Sequence, residues 1–461
     1  MSQPVPTTTN LADRPSGQID RRGLLKWGTL GVGGLTLPQV LRAEQGKPAA
    51  KRQHSVILLH MRGGPSQLDT WDMKPQAPIE YRGEFDPIST AVPDIQICEL
   101  LPQTAAIMDK WSIVRSVQHP ADYGDVSHPR GNQVVFTGYP PGPNDMQNSY
   151  PSVGSVVARQ LQHLDRSMLA HVLMPRMLPG AGAAYLGQQY EPFVTDAPSA
   201  ARGQPFAVPN LSSLPEMSGR MADRRRLLTA LDGLRRDADR NGMMEAMDAY
   251  HQQAWELVTG NRVREAFDLD AEPAAVRERY GYPPKYVPRS IGAGNNPGWN
   301  QRLLLARRLV EAGVRLVTLE IGWWDTHEDN FFALKNCFLP MWDQCYSALI
   351  EDLAQRGLLE TTLVLAYGEH GRTPRINRSA GRDHWMSAFS AALAGGGVQG
   401  GRVVGSTDSK AETVAHNPKY PQDLLATIYR HLGVDTNLSY NDHAGRPHPV
   451  LPSGHPIDEL F

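Results

Sequence analysis

The order in which short apolar segments and helical segments follow one another is the feature that most constrains this chain. Apolar, β-branched runs of strand length are predicted as buried strands at residues 54–61, 111–117, 315–321 and 362–367. Apolar residues at helical spacing predict helices at residues 152–164, 300–312 and 339–357. Strands that alternate with helices favour a mostly parallel sheet covered by helices on both faces, so we predict an α/β fold.

The amino-terminal residues 1–50 are predicted to be a twin-arginine export signal followed by a linker. Arg21 and Arg22 precede a weakly apolar stretch at residues 27–41, which is the order of such a signal. The stretch is shorter than the roughly 20 apolar residues of a membrane span. We therefore expect engagement of the twin-arginine export machinery, no stable membrane span after processing, and a periplasmic or extracellular location. A short interfacial helix is the alternative interpretation.

Residues 51–461 are predicted to form a single α/β domain. Within it, residues 199–275 carry long, charged helical patterns, which we interpret as a helical insertion. The formal net charge is -2, which argues against a nucleic-acid partner because phosphate contacts need an excess of Lys and Arg. Cys98, Cys337 and Cys345 show no C-x-x-C spacing, so a thiolate metal site is not expected.

Polar clusters follow the predicted strands, at the edge where an open parallel sheet places its ligands. The candidate residues are Asp69 and Thr70 after the first strand, His119, Asp122, Ser127 and His128 after the second, Asp325 and His327 after the third, and Glu369, His370, Arg372, Arg382, Asp383 and His384 after the fourth. A lone Asp-x-His motif is more often a turn or a cap. Four clusters together favour a metal site.

Imidazole and carboxylate groups without a thiolate predict one or two divalent cations, with Zn, Mn, Ca and Mg all open. The predicted ligands are Asp69, Asp325, His327, Glu369, His370, Asp383 and His384. Two neighbouring cations would suit phosphoryl or sulfuryl transfer. Arg372 or Arg382 could then hold the transferred group by paired hydrogen bonds.

Four motifs together resemble a bacterial domain-of-unknown-function family, number 1501. They are GGPSQLDTWDMKP at residues 63–75, WDTH at 324–327, GEHGRTP at 368–374 and GRDHW at 381–385. The resemblance extends over about residues 51–450. It implies a twin-arginine signal, an origin in planctomycete-type bacteria, and a fold similar to the alkaline phosphatase and sulfatase superfamily.

The superfamily resemblance also implies ligand roles. Asp325 and His327 are similar to the acid and histidine ligands of one metal, Glu369 and His370 to the element that binds the other, and His384 to a late histidine ligand. The family usually has Phe at the position of His370. The superfamily expects an acid directly after the first strand, where this chain has Met61 and Arg62, which leaves Asp69 or Asp72 as a displaced substitute.

The nucleophile stays open at this point. Sulfatases carry Cys or Ser about ten residues before a Thr-Gly pair, and counting back from Thr137 places His128 at that position. Ser127, Thr70 or a water activated by the metal could attack instead. Sequence and resemblance together imply an exported metal-dependent hydrolase of phosphate or sulfate esters, with a small-molecule or glycan ester as substrate. The alternatives are a non-catalytic exported binding protein and a phosphomutase-type or other metal chemistry.

Overall fold

The computed structural model describes residues 53–124, 127–165, 167–196, 198, 206, 208, 261–283 and 298–461. The predicted export signal and most of the predicted helical insertion lie outside these residues. Both therefore stay predictions, as does the assignment of residues 51–461 to one domain. Among the helices described, none is long and apolar enough to cross a membrane.

A central sheet of eight strands carries the site. The strands are β1 (Ser55–His60), β2 (Trp111–Val117), β3 (His171–Met174), β4 (Phe193–Val194), β5 (Leu316–Glu320), β6 (Thr362–Tyr367), β7 (Phe389–Ala394) and β8 (Val403–Val404). Their order across the sheet is β8-β2-β7-β6-β1-β5-β3-β4. Strand β7 pairs antiparallel with both of its neighbours, while all other pairs are parallel. The predicted mostly parallel sheet is confirmed.

Strand β1 explains why these segments are apolar throughout. Its side chains alternate between the two faces of the sheet. Ile57 and Leu59 belong to one buried core, and Val56 and Leu58 belong to the other. A strand that is covered on both faces has no solvent-facing position, so its sequence is a continuous apolar run.

Helices cover both faces of the sheet. The longer ones are α1 (His128–Thr137), α2 (Val153–Leu161), α3 (Asn261–Phe267), α4 (Ala274–Tyr280), α5 (Trp299–Ala312), α6 (Leu339–Gln355) and α7 (Pro421–Leu432). Leu303 of α5 and Leu349 of α6 contribute to the first core. Val135 of α1, Val156 of α2 and Ile428 of α7 contribute to the second. The predicted α/β class is therefore confirmed.

The structure also contains short helices and two-stranded hairpins. Short helices cover Ile79–Arg82, Pro102–Ala106 and Asn330–Ala333, and a π-turn at Leu334–Phe338 leads into α6. Two-stranded hairpins pair Pro87–Ser89 with Gln96–Cys98, Gly371–Arg372 with His384–Trp385, Ser406–Thr407 with Val414–His416, and Ser439–Asn441 with Pro447–Pro449. The second of these hairpins brings two of the predicted site segments together.

Candidate metal centre

Strand direction brings the predicted site segments to one edge of the sheet. Asp325 and His327 follow the carboxyl end of β5, and Glu369 and His370 follow that of β6. His384 precedes β7. Because β7 runs antiparallel to β6, its amino end lies at the same edge as the carboxyl ends of the parallel strands. Residues that are far apart in the sequence therefore meet in one place.

The first group of potential ligands centres on one carboxylate oxygen. Asp325 Oδ1 lies 3.0 Å from His327 Nε2 and 3.3 Å from His384 Nε2. The two imidazole nitrogens are themselves 3.1 Å apart. His128 Nε2 lies 3.2 Å from the other Asp325 oxygen. Ligand atoms of all four residues fall within 4.8 Å of one another, close enough to surround a single ion.

The second group lies deeper and shares His128 with the first. It consists of His128, Glu369 and His370. His128 Nδ1 lies 2.6 Å from Glu369 Oε1, and the same oxygen accepts the backbone N–H of Gly63 at 2.8 Å. The Glu369 side chain has no exposed surface, whereas that of His327 is 42% exposed. A substrate would therefore approach from the Asp325 side.

Charge in the centre is shared between one imidazole and two carboxylates. Burial lowers the pKa of His128, but its bonds to Asp325 and Glu369 outweigh burial and raise the pKa to about 9. Burial raises the pKa of both carboxyls, yet the bond from His128 and the neighbouring imidazoles hold each pKa well below its ordinary value. Both acids are thus ionised at neutral pH and available to a cation.

Whether a cation fits this centre can be judged from its buried polar atoms that have no hydrogen-bond partner. Among the described residues, neither Glu369 Oε2 nor His370 Nε2, both buried, has a hydrogen-bond partner. Burial also lowers the pKa of His370 well below its usual range, which keeps the imidazole neutral and able to ligate. A buried carboxylate oxygen and a neutral imidazole nitrogen left unpaired are costly unless a partner binds them. The donors therefore fit a divalent cation bound by nitrogen and oxygen.

Arg372 is a buried residue that contacts Asp325 of the centre. Its guanidinium is completely buried, and it donates to the carbonyl groups of Gly63, Gly64 and Arg382 and to Asp325 Oδ1. These contacts occupy the guanidinium on the protein side. Arg372 thus orients Asp325, and the predicted role in holding the transferred group does not follow from its position.

Asp69 and Thr70 lie outside both ligand groups. Asp69 is completely buried, and its two oxygens accept from Arg382 Nε at 2.7 Å and Arg382 Nη2 at 3.0 Å. Asn330 Nδ2 donates to Asp69 at 2.9 Å. The Thr70 hydroxyl is buried and donates to the Ser66 carbonyl at 2.7 Å. Asp69 thus lies in a buried ion pair rather than among the ligand groups, and Thr70 has no free hydroxyl that faces the centre. The same ion pair occupies Arg382.

Ser127 and Asp383 lie at the rim. Ser127 precedes α1, its side chain makes no capping hydrogen bond, and the residue is exposed. It directly precedes His128, a member of both ligand groups. Asp383 is not in either group; its carboxylate lies 2.7 Å from His327 Nδ1. That contact would fix the ring so that Nε2 faces the centre, which is a common outer partner of a metal-binding histidine.

Three more residues lie at the centre, of which His119 was a candidate from the sequence and His60 and Trp323 were not. His60, the last residue of β1, lies 3.6 Å from Glu369 Oε2 and 2.9 Å from Asn132 Oδ1. His119 Nε2 lies 2.6 Å from the carbonyl oxygen of Glu369. The ring of Trp323 lies 4.6 Å from that of His128. The one signal for His60 was an imidazole inside an otherwise apolar strand.

Comparisons with known proteins give one family and several loosely similar structures. A family model described as protein of unknown function (DUF1501) matches residues 53–461. A comparison with curated proteins gives no match.

Among solved structures, the PsFucS1 sulfatase from Pseudoalteromonas sp. is 13% identical, with 86% of this chain and 70% of that chain covered at a TM-score of 0.36. The phosphonate monoester hydrolase SpPMH from Silicibacter pomeroyi is 10% identical, with 88% and 76% covered at a TM-score of 0.37. BT1596, a 2-O GAG sulfatase, is 10% identical, with 88% and 74% covered at a TM-score of 0.37. At such TM-scores the likeness does not bear on activity, so function has to be argued from this chain's own residues.

Proposed function

We propose, from the premise that the chain belongs to the DUF1501 family, that it is an exported metal-dependent hydrolase of phosphate or sulfate esters. The observation that carries the proposal is the pair of ligand groups that share His128 at the carboxyl edge of the sheet. If these residues had only a structural role, their buried polar atoms would be expected to have hydrogen-bond partners. Here Glu369 Oε2 and His370 Nε2 find no hydrogen-bond partner in the described ranges.

Five side chains would hold the metal. Asp325, His327 and His384 would bind one divalent cation, Glu369 and His370 would bind a second, and His128 belongs to both ligand groups. Imidazole-rich ligation favours Zn²⁺ over Mn²⁺, Ca²⁺ or Mg²⁺, which prefer oxygen. When bound, such cations offset the negative charge of a transferred phosphoryl or sulfuryl group.

His128 is our proposal for the proton donor. Its imidazole lies between Glu369 and Asp325, with Nδ1 2.6 Å from Glu369 Oε1 and Nε2 3.2 Å from Asp325 Oδ2. A protonated Nε2 at the edge of the first group could give its proton to the leaving ester oxygen. A His128→Gln variant that keeps its metal but loses turnover would support this role, while loss of metal would assign His128 to the ligand set.

We propose the nucleophile by elimination among the three candidates from the sequence, which are Ser127, Thr70 and a water molecule. Thr70 is buried and bound to a carbonyl, which leaves Ser127 or a water molecule. A Ser127→Ala variant distinguishes them, because a serine nucleophile is required for turnover and a water nucleophile leaves turnover within a few fold. Since Ser127 makes no capping bond, the substitution should not disturb folding.

The deciding experiment pairs elemental analysis with an activity assay. The protein is expressed with its export signal, its metal content is measured, and turnover is followed on an aryl phosphate and an aryl sulfate. His327→Ala and Glu369→Gln should each reduce the metal content and abolish turnover. His416→Ala, which changes an exposed histidine outside both ligand groups, serves as the control and should leave both unchanged. Normal metal content in both site variants would refute the ligand assignment.

One observation favours a second candidate function, a non-catalytic exported protein that binds a metal or an anionic ligand. The position where a sulfatase has its nucleophile is taken by His128, which is engaged with two carboxylates. A protein that retains two metals but turns over neither aryl ester would support this candidate.

Export and substrate class are further parts of the proposal. The paired Arg21 and Arg22 before an apolar stretch motivate export. A small-molecule or glycan ester is the substrate class that we propose, by analogy of fold alone. Replacing both arginines with lysine should retain the protein in the cytoplasm, which cell fractionation would reveal. Equal export of that variant would contradict the twin-arginine route.

A further inference from the structure

We propose that Arg62, Arg176 and Arg302, named here the arginine cluster, form a subsite that binds a second anionic group of the substrate. The inference rests on the proposed function and deepens it. The substrate class would then be an ester that carries at least one additional carboxylate, phosphate or sulfate near the group that is cleaved.

The cluster is assembled around one carboxylate from three separate parts of the chain. Arg62 follows β1, Arg176 follows β3, and Arg302 belongs to α5. Arg176 donates to the two oxygens of Glu320 at 2.9 and 2.6 Å, and Arg62 donates at 2.8 Å. Arg302 donates to the backbone carbonyl of Glu320 at 3.2 Å. Glu320 is the last residue of β5, so the cluster lies at the same edge of the sheet as the metal centre.

The charges of the cluster are not balanced by the described residues. Among the described side chains, Glu320 is the one carboxylate that pairs with Arg62 and Arg176, and Arg302 contacts it through the backbone carbonyl. Burial lowers the pKa of Arg302 to about 10, and although Glu320 raises it, the like charge of Arg176 lowers it further. Neighbouring cations that repel one another cost free energy, which a bound anion would recover.

Hydrogen-bond donors of the cluster are also left over. The Nε atoms of Arg62 and Arg302 are buried and have no hydrogen-bond partner within the part of the chain that the structure describes. A guanidinium offers five N–H groups in a planar fork that matches the oxygens of a carboxylate, phosphate or sulfate. The cluster therefore has both the charge and the unused donors that an oxyanion requires.

Trp323 connects the cluster to the metal centre. The Arg62 guanidinium lies 4.3 Å from the centre of the Trp323 ring, and that ring lies 4.6 Å from the ring of His128. The next residue after Arg62, Gly63, donates its backbone N–H to Glu369. A substrate that reaches the metal centre with one anionic group could thus place a neighbouring group on the cluster.

The cluster is open to solvent at one end. The side chain of Arg176 is 54% exposed and that of Arg62 is 22% exposed. Arg176 is therefore the residue to change first, because Arg62 remains to pair with Glu320 and the fold should be retained. Arg446 is the matched control, since it is also exposed and pairs with a single acid, Asp442, outside the cluster.

The test measures binding and turnover separately. Titration calorimetry of the full-length protein would use three disaccharide probes: one with a single sulfate, one with two sulfates, and one with a sulfate and a carboxylate. We expect the wild type to prefer a doubly anionic probe by about tenfold, equivalent to about 1.4 kcal/mol. Arg176→Gln should lose that preference, Arg176→Lys should lose part of it, and Arg446→Gln should keep it. Which doubly anionic probe binds more tightly identifies the second group.

The outcomes separate this inference from the proposed function. Equal binding of singly and doubly anionic probes by the wild type would overturn the subsite, as would an Arg176→Gln variant that retains the preference. If aryl esters are not turned over but the preference exists and depends on Arg176, the hydrolase proposal fails and the subsite stands. If aryl esters are turned over with no preference for a second anion, the subsite alone fails.

Discussion

Replacing Asp69 with asparagine separates a structural carboxylate from a metal ligand. Both partners of the pair between Asp69 and Arg382 are completely buried, with two hydrogen bonds of 2.7 and 3.0 Å. Removing the negative charge leaves the Arg382 guanidinium buried without its counter-charge. Breaking such a buried pair costs about 3–5 kcal/mol of unfolding free energy. Arg382 also donates to the backbone carbonyls of Thr373, Pro374 and Tyr81, so we expect a value at the lower end of that range.

The assay is urea unfolding followed by circular dichroism, with metal content measured on the same sample. Asp69→Asn should lose about 3 kcal/mol of unfolding free energy and keep its metal. The control is Asp109→Asn, whose exposed pair with Lys110 should contribute less than about 1 kcal/mol. A variant of Asp69 that keeps its stability and loses metal would refute the reasoning and return Asp69 to the ligand set.

Three further predictions follow from buried residues. Burial lowers the pKa of His171 to about 3. Below about pH 6.5, His171 is therefore protonated in the unfolded chain but stays neutral in the folded protein. The unfolding free energy should fall by about 1.4 kcal/mol for each pH unit below that value. His171→Gln should remove that part of the slope in urea unfolding between pH 7 and 5. A Cβ at Gly381 would lie 1.9 Å from the His327 carbonyl oxygen. Gly381→Ala should therefore displace the loop and lower metal content. Gly445→Ala strains only its own turn, at a φ of 79° with nothing within 4 Å, and should leave metal content unchanged. Leu58 is completely buried, so Leu58→Ala should cost about 2–5 kcal/mol in the same unfolding assay.

The sequence was most informative about the middle of the sheet. The runs predicted as strands at residues 54–61 and 315–321 form β1 and β5, and those predicted at 111–117 and 362–367 coincide with β2 and β6. A strand that is covered by helices on both faces can be recognised from its own sequence, because it is a continuous apolar run. Short edge strands such as β4 and β8 have two residues each, which is too few to produce a pattern.

Candidate residues for the site could also be selected from the sequence, because loops that follow parallel strands meet at one edge. What the sequence could not supply was the partner of each side chain. Asp69 and Asp325 are both acids in loops after strands, yet one pairs with Arg382 and the other lies among three histidines. The partner of Asp69 is 313 residues away along the chain, so no local pattern distinguishes the two acids.

The sequence by itself therefore determined the α/β class, the family and the edge of the sheet where chemistry would gather, because periodicity and motifs are local properties of the chain. Only the tertiary structure decided which donors converge and which are occupied elsewhere. The reversed direction of β7 brings His384 to Asp325, and three guanidinium groups from separate segments meet at Glu320. Such contacts depend on distances between residues that the chain order does not encode locally, and hydrogen bonds and ion pairs extend over only a few ångströms.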